Sequence, residues 1–447
     1  MEMRNMNGKL VVIPFSYPFY PKEIIEEQIN KSKHLLNELN PIFMDPVYVQ
    51  DDIEKTRNAI RLENPDLVIA MLVSWVEAPN FIDTLKEYFG KPLLLWSHTT
   101  FKLDGKKQTV GAFVAAGVVK QTLEDFDVPF EFIYGKPDDT QIVEKTITFY
   151  SVAKTLAKLK DTKIGLIGYP ALGMYTGTLD HITMKKRFGP EIIQLDQYQI
   201  INRTDSTSDE DVEEEFYYLK SRTNFAKGVD ETALKNSAKM YCAMKSLIKE
   251  NNLDAITVKC QYELSQIYKF TPCVALSLLG DEIPSSCEGD IQTMLSQVIL
   301  SYLTDSVVTY GDIHEVLEDR ILVGACGFSP FSMSDKKECM VCEWGWEAFN
   351  GILNSSPLRK GKKMTLARLS RDGDGFKLHA AVGESVGRSE WNEVDCPPYP
   401  GTDIVLDGNP ESFARELVSN HYALVFGDVT DELELLCKWL NIKYILT

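Results

Sequence analysis

The chain has 447 residues with a formal net charge of −18, 44% apolar residues and 25% charged residues. That length allows about two to four domains and a large core, and the composition is that of a globular protein. The acidic excess argues against nucleic acid and against anionic membrane surfaces as partners, because both call for a basic face.

The first apolar run, Leu10 to Phe15, is interrupted by Pro14 and is too short for a secretion signal, and Met1 to Met6 ahead of it carries no such pattern. No stretch reaches the roughly 18 apolar residues that span a bilayer, so the expected location is cytoplasmic. Lys9–Pro14 reads as a strand and Lys22–Leu39 as a helix; Asp66–Val73 reads as a fully buried strand and Phe81–Phe89 as a helix; Lys91–Trp96 is the next strand. Gln108–Thr122 is a helix rich in Gly and Ala, Phe130–Tyr134 a strand and Asp138–Leu159 a long helix. Alternation of this kind predicts a parallel sheet with helices on both faces.

The strand Lys163–Gly168 restarts the pattern and places a domain boundary near residue 160. The Gly-containing loop Gly168–Gly177 follows it, in the position where open α/β sheets meet their ligands, although it is neither GxGxxG nor a Walker A motif. The acidic run Asp209–Glu215 reads as a solvated helix start. Helix Glu231–Glu250 leads to strand Ala255–Cys260, and Ala275–Leu279 reads as a further β segment ahead of an amphipathic helix.

The last third changes character. Met364–Leu369, Phe376–Val382 and Ile404–Leu406 are short β runs, with the hairpin signal Asp372-Gly373-Asp374-Gly375 between the first two. Glu411–Val418 reads as a helix, Tyr422–Phe426 as a strand and Thr430–Leu440 as a helix. The predicted fold is two Rossmann-like parallel-sheet α/β domains, 1–160 and 161–304, followed by a β-rich antiparallel, barrel-like domain, 305–447.

The nine cysteines are odd in number and irregularly spaced, which fits reduced thiols better than a disulfide framework. Cys339 and Cys342 form a single CxxC without the second ligand pair that zinc needs. Three polar junctions stand out: Ser286–Gln292, which holds Cys287, Glu288 and Asp290; Val308–Ile313, which holds Asp312; and Ser419–Tyr422, which holds Asn420 and His421. Taken singly, Glu288 and Asp312 are each explained by helix capping or by a basic partner, and His421 by a hydrogen-bonded core position. Together, two carboxylates and one imidazole suit a hard divalent ion such as Mn²⁺ and leave coordination positions open for water or substrate. His314 draws notice because it follows Asp312 by two and would share its side of a strand.

The run Thr271 to Asp290, the Asp312 segment, the loop Gly324 to Pro330 and the Ser419-Asn420-His421 segment resemble, in content and order, the L-fucose isomerase/L-arabinose isomerase superfamily. The resemblance covers nearly the whole chain. It implies a metal-dependent aldose–ketose isomerase working through an ene-diol, with Glu288, Asp312 and His421 on the metal and Glu288 and Asp312 as the acid/base pair. Asn420 then neighbours the substrate, and Cys287 reads as packing and Asp290 as a supporting or capping carboxylate. Arg368, inside a β run, is a candidate sugar or anion contact, and Lys259 and Gln261 sit at a strand end facing the expected crevice. Trp344, Trp346 and Trp391 are candidate stacking faces for a sugar.

The resemblance also implies a trimer or hexamer whose active sites lie at subunit interfaces. Candidate substrates are L-fucose, D- or L-arabinose, or a six-carbon sugar with an anionic C6 substituent such as sulfoquinovose. Two departures point away from L-fucose: the Phe15–Phe19 segment lacks an arginine, and Ala325 stands where fucose isomerases carry a histidine. The alternatives are a non-catalytic sugar-binding relative and a metal-dependent sugar aldolase.

Overall fold

In a computed structural model the chain is described over residues 9–345, 348–390 and 399–447. Trp346, Trp391, Cys396 and the segment Met1–Met6 lie outside these residues. The chain divides into two compact units, one up to Ala157 and one from Lys158 onward. Among the described residues no helix is long and apolar enough to cross a membrane.

The first unit is built on a five-stranded parallel sheet in the order Ile42–Phe43, Leu10–Phe15, Leu67–Leu72, Leu93–His98 and Glu131–Gly135. Its three central strands are buried at every position, which is why they read as continuous apolar runs without alternation. The helix expected from Gln108 begins only at Ala112. Lys106–Gln108 instead pairs with Phe101–Leu103 as a small hairpin, turned by Asp104 and Gly105, both at positive φ. An Asp-Gly pair is a strong turn signal of this kind.

The second unit carries two sheets that matter for function. One is parallel, in the order Ser285–Cys287, Ala255–Val258, Lys163–Ile167 and Glu191–Leu195. The other is a closed antiparallel barrel of six strands: Lys362–Asp372, His421–Phe426, Thr309–Val316, Arg320–Gly324, Gly401–Leu406 and Gly375–Gly387, the last pairing back on the first. Strand Lys443–Leu446 joins Gly375–Gly387 in parallel. The fold class expected from the sequence is thus the one observed.

One local expectation fails. Ala275–Leu279 is not a β segment but lies in the helix Cys273–Leu279. All seven residues of that helix are buried, so they show no polar face, and a short all-apolar run does not by itself distinguish strand from helix. The strand that leads into Glu288 is the shorter Ser285–Cys287.

Candidate metal and acid–base site

Strand register sets the first part of the site. In the parallel sheet Ile167 pairs with Val258, and Val258 with Cys287. The next residues, Gly168, Lys259 and Glu288, therefore leave three adjacent strands side by side at their carboxyl ends, where ligands meet open α/β sheets. Glu288 and Gly289 both take left-handed backbone, at φ 72° and 70°. The turn is held by the Ala171 N–H, which donates to the Glu288 carbonyl at 2.8 Å. Asp290 then caps the helix Ile291–Thr304, accepting from the Thr293 N–H at 2.9 Å.

The barrel supplies the second part. Asp312 and His421 are direct register partners across one antiparallel ladder. The fully buried His421 ring presents Nε2 to two carboxylates, 3.2 Å from Asp312 Oδ1 and 3.4 Å from Glu288 Oε2, yet is aligned with neither as a hydrogen bond. On its far side, Nδ1 lies 2.9 Å from Asp290 Oδ2. Asn420 Nδ2 donates to Asp312 Oδ1 at 2.8 Å. Residues far apart in the chain thus converge on one imidazole nitrogen.

The electrostatics follow from this crowding. Burial raises the Glu288 carboxyl, and the nearby Asp312 charge adds to the rise, more than the His421 ring lowers it. Burial also acts to raise Asp312, but the His421 ring and the Asn420 amide together leave it lowered. His421 is pushed down by burial and raised further by the carboxylates of Asp312, Asp290 and Glu288, ending well above the usual histidine range. Asp290 is likewise raised by burial yet ends far below the carboxylate range, because the Arg368 guanidinium and His421 face it.

Three carboxylates around one imidazole call for positive charge. An Asp-held Nδ1 with Nε2 facing two carboxylates is the arrangement that orients a metal-ligating histidine. Carboxylate oxygens and an imidazole nitrogen suit a hard-to-borderline divalent ion. In donor chemistry the set suits the expected ion, with Glu288, Asp312 and His421 as the residues that would hold it.

Arg368 is fully buried. Its NH1 donates to Asp290 Oδ2 at 2.8 Å and also to Thr293 Oγ1, and its NH2 donates to the Thr176 carbonyl at 2.6 Å. It thus braces the carboxylate that holds His421 and fastens the Gly168–Gly177 loop beneath the site. Lys259 is also buried, and burial lowers its pKa. Its Nζ donates to Tyr169 Oη at 2.9 Å, pairs with Glu263, and lies 4.0 Å from the Tyr169 ring centre. Gln261 is buried with Oε1 lacking a partner.

His314 turns to the Gly324 carbonyl, 3.0 Å away; the register shift between Ile313 and Glu315 breaks the alternation that placed it beside Asp312. Trp344 donates to Thr271 Oγ1 at 3.0 Å and stacks on Phe349. Pocket size does not mark this site: a cleft of about 670 Å³ lies in the first unit, lined by Glu23, Glu26, Lys31 and His34 among others, without a comparable convergence of donors.

No protein-family model matches the chain. It is similar over nearly its full length to curated enzymes named sulfoquinovose isomerase. The protein of Priestia aryabhattai is 23% identical over 450 residues, 98% of each chain. That of Alkalicoccus urumqiensis is 25% identical over 398 residues, 85% of this chain and 86% of its own. That of a Clostridium species is 22% identical over 454 residues, 97% and 98% respectively.

Two contacts of Glu288 and its neighbour escaped sequence reasoning. The Cys326 thiol donates to Glu288 Oε1 at 2.8 Å, and Tyr310 Oη lies 2.8 Å from Cys287 Sγ. For Cys326 the signal was its place in the Gly324–Pro330 loop that the family resemblance singles out, though nothing in the sequence points that loop at Glu288.

Proposed function

We propose that the protein is an aldose–ketose isomerase of a C6-sulfonated hexose such as sulfoquinovose, with Glu288 and Asp312 as its acid/base pair and a divalent ion, Mn²⁺ by donor preference, held by Glu288, Asp312 and His421. The observation that carries this reading is the convergence of the two carboxylates on the outward nitrogen of a histidine held by Asp290. The full-length similarity to sulfoquinovose isomerases supports the sugar chemistry. The sequence resemblance to fucose and arabinose isomerases supports the same reaction on a related scaffold.

When bound, the ion would supply positive charge to stabilise the sugar oxygens O1 and O2 as carbonyl and hydroxyl exchange between C1 and C2. The chain's own residues do the rest. One carboxylate takes the proton from C2 of the open-chain sugar. The same carboxylate returns that proton to C1 while its partner carries the O2 proton to O1, giving the ketose and leaving both groups as they began. Asn420 keeps Asp312 aimed, and Asp290 keeps His421 in one tautomer. Lys259, beside Glu288 at the end of the neighbouring strand, is the cation that in this reading exchanges its Glu263 partner for the sulfonate.

Association into a trimer or hexamer, with sites completed by a second copy, is part of the same reading. It is supported by the exposure of Tyr169, Leu172, Tyr175 and Tyr262 around the crevice, a cluster of apolar side chains of the sort that marks interaction surfaces.

The test is a panel of neutral aldoses and sulfonated hexoses with Mn²⁺, read by ketose formation and by exchange of the C2 hydrogen in D₂O. Sulfoquinovose should be converted, and Glu288→Gln should lower kcat at least about 100-fold, the low end of a general acid/base contribution, with the circular-dichroism spectrum unchanged. Near-normal turnover by Glu288→Gln, or no ketose from any sugar, overturns the reading.

A further inference from the structure

Behind Glu288 the fold gathers three sulfur atoms. Cys260 follows the strand Ala255–Val258, Cys287 ends the strand Ser285–Cys287, and Cys326 lies in the loop after Arg320–Gly324. Their Sγ atoms all lie within 4.8 Å of one another, and Cys287 and Cys326 are 3.8 Å apart. Bonds from Zn²⁺ to thiolate sulfur are about 2.3 Å, so two sulfurs at a tetrahedral angle sit about 3.8 Å apart. The Cys287–Cys326 pair therefore already has the spacing that such an ion imposes, and Cys260 Sγ lies within 4.8 Å of both.

Glu288 offers a further donor beside Cys326. Glu288 faces His421 with Oε2 and accepts the Cys326 thiol on Oε1 at 2.8 Å. Its carboxylate thus stands between two donor sets of opposite character, carboxylate and imidazole on one side and sulfur on the other. Cys260 and Cys287 are buried while Cys326 is partly exposed, which gives an incoming ion a first point of attachment.

We propose that Cys260, Cys287 and Cys326, with Glu288 Oε1 as fourth ligand, form a second metal site, selective for a soft divalent ion such as Zn²⁺ or Cd²⁺. Sulfur ligands select ions of this kind, whereas the oxygen-rich set around His421 favours harder ones. On binding, three S–H bonds break, three protons pass to solvent and three metal–sulfur bonds form, with no change of oxidation state. The ion also ties Glu288 to the sulfur side, so it inhibits the enzyme. That consequence rests on the acid/base reading of Glu288; the binding does not.

The probe is Cd²⁺ added to the Mn²⁺-loaded full-length protein. A thiolate-to-cadmium charge-transfer band should rise to one equivalent, with about three protons released per ion and loss of turnover. Under native conditions Cd²⁺ should also shield Cys260, Cys287 and Cys326 from alkylation, read by peptide mass spectrometry on the unmodified chain. Cys260→Ser should weaken Cd²⁺ binding by more than the roughly 10–100-fold that outer ligand supports contribute. The same variant should keep its turnover in the absence of Cd²⁺. Cys242→Ser and Cys342→Ser should leave the band unchanged.

A band that survives Cys260→Ser with undiminished affinity overturns the site, as does Cd²⁺ binding with no charge-transfer band or no shielding of these three thiols. A protein that shows the band and the shielding but converts no sugar retains the metal site and loses only the isomerase reading.

Discussion

In the proposed site two carboxylates meet at the His421 ring, and the residue that holds that ring is Asp290. That carboxylate does three things at once: it caps a helix, accepts from Arg368 and holds His421 Nδ1. The Arg368–Asp290 pair is sealed from water, and removing one member of a buried pair leaves the other uncompensated, at a cost of about 3–5 kcal/mol. Asp290→Asn should therefore lose about that much stability in urea unfolding. It should also weaken Mn²⁺ binding roughly 10–100-fold, the usual effect of removing the partner of a ligating histidine, as measured by chelator competition. Unaltered Mn²⁺ affinity would remove Asp290 from its orienting role.

Lys259 is the second residue whose role is open to a direct measurement. A charge-assisted hydrogen bond contributes about 1.5–3 kcal/mol, so Lys259→Met should raise KM for a sulfonated hexose by about 10-fold or more. The KM for any neutral hexose that the enzyme accepts should stay put. Equal effects on both sugars would place the lysine in structural support of the Tyr169 loop instead.

At the scale of the element, the turn that carries Glu288 is the strained part of the site. A residue other than glycine at positive φ is uncommon, and such positions cluster at functional sites. Gly289 cannot be replaced cheaply: a Cβ there would lie 2.5 Å from the Tyr169 carbonyl oxygen. Gly289→Ala should cost about 1–3 kcal/mol of stability through backbone strain. It should cost turnover more heavily, since the shifted turn moves Glu288 away from His421; thermal melting alongside steady-state rates checks both. A variant with full activity would show that the turn tolerates what its geometry forbids.

The same elements show what was readable beforehand and what was not. Glu288, Asp312 and His421 could be singled out because each is a polar residue set abruptly against an apolar run, and such junctions survive in the linear sequence. Their meeting point could not, because it depends on which strands pair. Asp312 and His421 share a ladder only because two strands distant in the chain, Thr309–Val316 and His421–Phe426, pair directly, and Lys259 stands beside Glu288 only through the order of the parallel strands. Arg368 was visible as an arginine in a β run, but the carboxylate facing it lies in another element. Helix Cys273–Leu279 was misread because complete burial erased the periodicity that distinguishes it from a strand.

At the scale of the whole molecule, the net charge of −18 works against self-association, while the apolar side chains exposed around the crevice favour it. If copies do cover that rim, light scattering at moderate ionic strength should give a mass of three or six chains. The assembly should loosen at low salt, where like charges are least screened. A monomer under both conditions contradicts the proposed assembly.

The closed barrel bears on how long the site persists once made. An open sheet frays from its edges, but a strand laddered on both sides has to break two sets of hydrogen bonds to leave. Thr309–Val316 is laddered to His421–Phe426 on one side and Arg320–Gly324 on the other, and His421–Phe426 is held in turn by Lys362–Asp372. Asp312 and His421 therefore keep their spacing for as long as the barrel exists. Glu288, delivered by a short strand and a left-handed turn, is the member of the trio that local opening reaches first.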